Sequence, residues 1–275
     1  MWSSIFASFY NLPPRIPAEN IATTLSTSEQ LLKVADALNC TSLLSASIST
    51  ALQSHRHALY NVISRDPARF LLLSFSLQNS SIYTGSQIYI IGAYPCWPWP
   101  TKRSVLPAFI MDLVNTKAEE LDKTCLEAER DLLTLTITVP TGPVQAHVNS
   151  QFDTWFIVQT FRDTLAQQFH ALDCDRKKPL KRGTLFRKIR KGGVEYMPYE
   201  EMRRLMTRVM PGAVDSLEED LGLLKEHARG VMEEVSRNEG MVDIKGVEVG
   251  WLMCARIERR DIPWMVEEGE ICDDL

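Results

Sequence analysis

The sequence predicts a mainly α-helical protein, a multi-helix bundle or array with a small C-terminal β-hairpin. Apolar residues recur at helical spacing through an almost unbroken series of segments over residues 26–137. The same spacing returns from residue 152 onward. Proline and glycine interrupt it at 136–144, so we place a domain boundary there, between a domain 1–137 and a domain 145–275.

Capping and proline residues mark the helix starts of the first domain, namely Thr27 or Ser28, Thr41 or Ser42, and Asp66-Pro67. Residues 82–94 are apolar nearly throughout and fit a helix or a strand, and their helical neighbours favour a helix. A long helix is predicted over 106–135, because apolar residues follow one face while exposed positions alternate in charge.

Helices are predicted in the second domain over 152–172, 199–210 and 216–237. At least part of the basic residues 176–191 is also predicted to be an amphipathic helix, because Leu180, Leu185, Phe186 and Ile189 interleave them. Ser216 followed by Glu219 predicts a capping box at the start of the last one. Residues 241–257 alternate in polarity around Lys245-Gly246, and this pattern predicts the β-hairpin.

Composition indicates an ordinary globular chain. Of the 275 residues, 45% are hydrophobic and 24% are charged, and the formal net charge is only -5. Prolines 13, 14 and 17 interrupt the start, so we expect no signal peptide, and no apolar run reaches the ~20 residues that span a bilayer. We therefore expect a cytoplasmic or nuclear protein with reduced cysteines and no membrane contact.

The motifs of common enzyme classes are missing from the sequence. There is no Gly-x-Ser-x-Gly elbow, no phosphate-binding glycine loop and no His-Glu-x-x-His pair. His55 and His57 lie two residues apart on a predicted helix, which points them in different directions. The six cysteines form no Cys-x-x-Cys pair. We expect no catalysis, no cofactor and no bound metal.

An aromatic and proline-rich turn, Ala-Tyr-Pro-Cys-Trp-Pro-Trp-Pro at residues 93–100, is the first candidate site. Aromatic side chains dominate protein-binding hot spots, which makes Tyr94, Trp97 and Trp99 candidate interaction residues. A rigid turn between helices also buries its aromatic residues to cap a core. Both interpretations are open from the sequence, and the second is the more common.

A basic segment is the second candidate site. It has nine basic residues and no acidic one, namely Arg176, Lys177, Lys178, Lys181, Arg182, Arg187, Lys188, Arg190 and Lys191. Residues 192–275 contain twenty acidic and ten basic residues, so internal pairing with this acidic region is the favoured interpretation. Nuclear import and contact with nucleic acid phosphates are the alternatives.

Residues 4–137 resemble fungal proteins that carry a BTB/POZ domain followed by helices. Residues 6–21 look like the last part of such a domain, and 29–40, Glu-Gln-Leu-Leu-Lys-Val-Ala-Asp-Ala-Leu-Asn-Cys, are similar to its terminal helix. Residues 66–77 and 81–100 look like the helical extension. The most specific match is Ile-Gly-Ala-Tyr-Pro-Cys-Trp-Pro-Trp-Pro.

The resemblance implies a non-catalytic adaptor that binds another protein, with a cullin-type ligase as the partner known from the wider family. The front part of a BTB domain, which forms the dimer interface and much of the cullin-binding surface, has no counterpart in this sequence. A cullin-type ligase therefore stays only an open alternative for the partner, homodimerisation through a BTB interface is not carried over, and the oligomeric state stays open. Trp2, Ile5, Phe6 and Phe9 are expected to be exposed unless they repack or a partner covers them. The alternative function is a nuclear protein that contacts nucleic acid through residues 176–191.

Overall fold

The computed structural model describes residues 2–10, 12–242 and 249–265. These residues form eleven α-helices and one two-stranded antiparallel hairpin. The prediction of a mainly α-helical protein with a small β-hairpin is therefore confirmed. The chain forms two compact units, the first from the described residues of 1–117, 238–249 and 255–275, the second from 118–237 and 250–254.

The first unit is built from six helices and the beginning of a seventh: α1 (Trp2–Phe9), α2 (Ile21–Ala37), α3 (Thr41–Gln53), α4 (His57–Ile63), α5 (Pro67–Leu77), α6 (Ser80–Ala93) and α7 (Ala108–Thr134). Helix α3 packs on α1, α2 and α5, and α6 packs on α4 and α5. Eleven of the fourteen residues of α6 are buried, which explains why its sequence is apolar on all sides.

Most helix starts of the first unit agree with the sequence. The predicted starts at Thr41 and at Asp66-Pro67 are confirmed, and residues 82–94 lie almost entirely in a helix. The predicted cap at Thr27 or Ser28 is wrong. The side chain of Asn20 accepts a hydrogen bond from the backbone N–H of Thr23 and so caps α2 several residues earlier.

Two tyrosines of α6 connect it to later parts of the first unit. The hydroxyl of Tyr83 donates a hydrogen bond to the backbone oxygen of Asp261 at 2.9 Å, and the hydroxyl of Tyr89 donates to that of Gly240. The ring of Trp264 meets that of Tyr83 edge-to-face at 5.3 Å. These contacts explain why residues 238–242 and 255–265 belong to the first unit although they are distant in sequence.

The second unit contains the rest of α7, the hairpin strands β1 (Thr138–Val139) and β2 (Gly142–Pro143), and the helices α8 (Phe152–Asp173), α9 (Lys178–Lys191), α10 (Tyr199–Val209) and α11 (Leu217–Val235). Thr138 pairs with Pro143, and Val139 with Gly142. Helix α11 packs on α8, α9 and α10. Phe161, Phe186 and Leu224 lie at the centre of the core that these helices enclose.

The units divide elsewhere than at the predicted boundary of 136–144. That stretch forms the hairpin, and Leu135, Ile137 and Val144 are buried in the core of the second unit. The division falls instead after Lys117, within α7. Proline and glycine at 140–143 mark a tight turn, and a tight turn has the same sequence signal as a linker.

The C-terminal hairpin predicted over 241–257 has its centre outside the described residues, because 243–248 are not described. Within 249–257 the structure assigns no β-strand, and 250–254 join the second unit. The capping box predicted at α11 is not formed. Ser216 has φ −93° and ψ −8°, which is helical backbone, and its hydroxyl makes no cap hydrogen bond.

Candidate interaction surfaces

The aromatic turn at residues 93–100 is fixed to the helices that precede it. Trp99 is 7% exposed, and its indole N–H donates a hydrogen bond to the backbone oxygen of Ser64 at 3.0 Å. The hydroxyl of Thr101 donates to Oδ2 of Asp66 at 2.7 Å. Ser64 and Asp66 lie in the link between α4 and α5, so the turn closes over this link and Trp99 contributes to the core.

Tyr94 and Trp97 are half-buried at the same turn. The indole N–H of Trp97 donates to the backbone oxygen of Thr101 at 2.7 Å, and its ring meets that of Trp99 edge-to-face at 5.2 Å. The guanidinium of Arg103 lies 4.8 Å from the ring centre of Tyr94 and donates to its hydroxyl. The polar atoms of these aromatic residues are used within the turn. Partner binding by Tyr94, Trp97 and Trp99 stays a prediction.

Most of the basic segment forms α9, which begins at Lys178, and at least five of its nine basic residues have acidic partners within the described chain. The pairs are Lys178–Asp173, Lys181–Asp175, Arg182 with Asp122 and Glu129, Arg190–Glu233, and Lys191–Glu195. Glu195 and Glu233 belong to residues 192–275, the acidic region that is predicted from the sequence to supply partners for the basic segment. The other carboxylates come from α7 and from the end of α8 and the residues after it. Nucleic acid contact through residues 176–191 stays a prediction, and this pairing does not favour it.

Arg182 is the buried member of the segment, with 4% of its surface exposed. Its Nη2 lies 2.8 Å from Oε1 of Glu129, and its Nη1 contacts Oδ1 of Asp122. Cys125 lies on the same helix as both carboxylates, and burial raises the pKa of its thiol to about 12. The thiol of Cys125 is therefore protonated and inert at neutral pH.

The N-terminal helix α1 presents an aromatic stripe, formed by Trp2, Phe6 and Phe9. These side chains are 56%, 57% and 53% exposed, and the rings of Trp2 and Phe6 stack at 6.2 Å. Positions i, i+4 and i+7 lie on one face of a helix. Ile5 and Ser8 are buried, and α1 packs on α3.

The sequence leads us to expect these apolar residues to be exposed, repacked or covered by a partner, and none of them is among its candidate sites. Ile5 is 1% exposed and so is packed inside the unit, whereas Trp2, Phe6 and Phe9 are exposed. The spacing of Trp2, Phe6 and Phe9 places them on one face, but Ile5 lies three residues from Trp2 and four from Phe9, at the edge of the same face. The packing of α1 on α3, and not the spacing alone, buries Ile5. Tyr10 and Leu12, also exposed, continue the apolar surface beyond the helix end.

A cavity of about 440 Å³ lies in the first unit beside the first turns of α6. Its described lining includes the hydroxyl side chains of Ser80, Ser81 and Thr84 and the apolar side chain of Ile262. Burial raises the pKa of Tyr60, another lining residue, so its hydroxyl stays protonated. Glu239 and Arg259 are the charged residues among its described lining, which includes no histidine or cysteine.

In the part of the chain that the structure describes, no three histidine, cysteine or carboxylate side chains are grouped as a metal site would need. Nor do the described helices include one with the length and apolarity required to cross a membrane. No protein-family model, curated protein or solved structure matches this chain.

Proposed function

We propose that this chain is a non-catalytic protein-interaction module and that the aromatic stripe of α1 is its contact surface. The observation that supports this proposal is the exposure of Trp2, Phe6 and Phe9 on one face of a single helix. Adjacent exposed aromatic side chains are typical of binding sites, because their apolar surface stays in unfavourable contact with water until a partner covers it.

An aromatic side chain buries roughly 150–250 Å² when it is fully covered. With slightly more than half of each side chain exposed, the stripe leaves on the order of 300 Å² in water. At about 25 cal/mol per Å², covering it contributes roughly 7 kcal/mol before the cost of association. The aromatic turn at 93–100 offers less, since Trp99 is already buried.

Photo-crosslinking tests this proposal. The photoreactive residue p-benzoylphenylalanine replaces Phe6 in the full chain, which is irradiated in the expressing cells. The matched control carries it at Val194, an 84% exposed apolar residue of the second unit. We expect crosslinked protein species at position 6 and none of them at position 194. Equal crosslinking at the two positions, or none at position 6, contradicts the proposal.

We also propose, from the resemblance of residues 4–137, that the chain is related to fungal BTB adaptor proteins. What supports it is sequence alone, chiefly the run from Ile91 to Pro100. A cullin-type partner follows as a proposal. Immunoprecipitation of the tagged chain followed by probing for cullins tests it, and a cullin recovered with the wild type but lost with Phe6→Glu would tie that partner to α1.

A further inference from the structure

We infer that the stripe of α1 binds the same stripe of a second copy of this chain, with the two helices antiparallel about a two-fold axis. The inference rests on the proposed function, because it names the occupant of the surface proposed there. Three observations favour a second copy: the spacing of the aromatic residues, the absence of charge around them, and the extent of the exposed surface.

The spacing suits antiparallel pairing. Phe6 follows Trp2 by four residues and precedes Phe9 by three. If Phe6 lies at the axis, it faces Phe6 of the second copy, and Trp2 faces Phe9 of the second copy. The interval from Trp2 to Phe6 exceeds the interval from Phe6 to Phe9 by a single residue, which is about 1.5 Å along a helix. The stripe is therefore nearly self-complementary when it is reversed.

The lack of charge also suits a second copy. At a two-fold interface a side chain on the axis meets its own equivalent, so a charge near the axis meets a like charge. From Trp2 to Pro14 there is no charged side chain. A helix that binds a lipid surface carries lysine or arginine on its polar face, and α1 has neither. The chemistry thus favours an uncharged protein surface of the same kind.

The exposed area determines how strong the pairing is. With Tyr10 and Leu12 included, each copy offers on the order of 500 Å², against about 800 Å² per partner in a standard stable interface. The dimer is therefore weak and reversible. We expect dissociation in the micromolar range, so that the mass of the purified chain depends on concentration.

Sedimentation equilibrium of the purified full chain, from low to high micromolar, tests the inference. We expect the mass to rise from 31.2 kDa toward twice that value. Phe6→Glu and Phe6→Lys should each weaken association at least tenfold, since like charges then meet at the axis. Val194→Glu, an exposed apolar-to-acid change in the second unit, should leave it unchanged.

Mixing the variants then tests the geometry. Phe6→Glu with Phe6→Lys should restore the dimer, because position 6 faces position 6. Trp2→Glu with Phe9→Lys should restore it as well, whereas Trp2→Glu with Trp2→Lys should not. Restoration by mixing also shows that the single variants are folded.

Three results would overturn the inference: a monomer at every concentration, a dimer that Phe6→Glu leaves intact, or restoration by the Trp2 pair. A monomer whose position 6 still crosslinks to a different protein would exclude the second copy and leave the proposed function standing. A monomer with no crosslink at position 6 would contradict both.

Discussion

Arg182 explains why part of a strongly basic segment packs into a core. Its guanidinium is 4% exposed and lies between the carboxylates of Glu129 and Asp122, which approach it from α7. Burying one charge is costly unless a partner compensates it, and here α7 supplies two. Arg182 therefore connects α9 to α7 within the second unit.

Replacing Arg182 by alanine should lower the free energy of unfolding by about 3 kcal/mol, because Glu129 is then left buried without a partner. The matched control is Arg190→Ala. Arg190 pairs with Glu233 in a solvent-exposed geometry, and its loss should cost less than about 1 kcal/mol. Urea unfolding of both variants measures the difference. Similar losses in the two variants would contradict the buried-pair interpretation.

Cys125 makes stability depend on pH above neutrality. Burial raises the pKa of its thiol to about 12, against about 8.5 in the unfolded chain. The contribution of the protonated Cys125 thiol to the free energy of unfolding is complete below about pH 8.5. It is lost as the pH rises toward 12, because over that range only the unfolded chain releases the thiol proton. One such group lowers the free energy of unfolding by about 1.4 kcal/mol per pH unit.

Between pH 9 and 10 the free energy of unfolding should therefore fall in the wild type and fall less steeply in Cys125→Ala. The slope is compared rather than the absolute stability, since alanine also leaves a small cavity. Urea titrations at several pH values provide it. Parallel slopes would show that Cys125 does not titrate as its burial requires.

At the scale of elements, α9 and residues 250–251 approach so closely that only glycine fits. A Cβ added at Gly183 would lie 2.1 Å from the backbone oxygen of Trp251, and one at Gly250 would lie 1.9 Å from that of Leu180. The backbone N–H of Thr184 donates to the oxygen of Gly250 at 3.1 Å. This backbone contact attaches residues 250–254 to the second unit together with the burial of Leu252 in its core and the hydrogen bond from Cys254 to the backbone oxygen of Val235.

Gly183→Ala should destabilise the protein by more than 1 kcal/mol, because its methyl group would overlap backbone atoms that cannot move independently. The control is Gly230→Ala in α11, where a Cβ meets no atom within 4 Å. That change should stabilise by about 0.5–1 kcal/mol through helix propensity. Thermal unfolding of the pair should show opposite signs, and the same sign in both would contradict the packing.

The sequence predicted the positions of the helices better than the contacts between them. Helices α3, α5, α6, α7 and α8 follow from local periodicity and from starts such as Asp66-Pro67, which act within one turn. The tight turn at 140–143 looked like a linker, because glycine and proline mark both. The pairing of Arg182 with Glu129 joins residues 53 positions apart, and no local pattern reports such a contact.

The candidate site was predictable only in part for the same reason. Aromatic crowding near the N-terminus was visible, but the division between buried Ile5 and exposed Phe6 depends on how α1 packs against α3. At the aromatic turn, composition alone could not show that Trp99 donates to Ser64 and is buried. Exposure is set by tertiary packing, and it decides which aromatic residues are available to a partner.

At the scale of the whole molecule, two helical units provide buried cores, and three exposed aromatic side chains share one face of α1. This arrangement suits a scaffold that presents a surface. The central claim is thus that Trp2, Phe6 and Phe9 are covered by protein when the chain works.

Hydroxyl-radical footprinting measures that claim directly, since radicals oxidise exposed aromatic side chains. Oxidation of Trp2, Phe6 and Phe9 is compared between the dilute purified chain and the chain inside expressing cells, with Tyr94 and Trp97 as the internal reference. We predict strong oxidation of the stripe in the dilute chain, protection in cells, and no change at the turn. Unchanged oxidation of the stripe, or protection of the turn alone, would contradict the account.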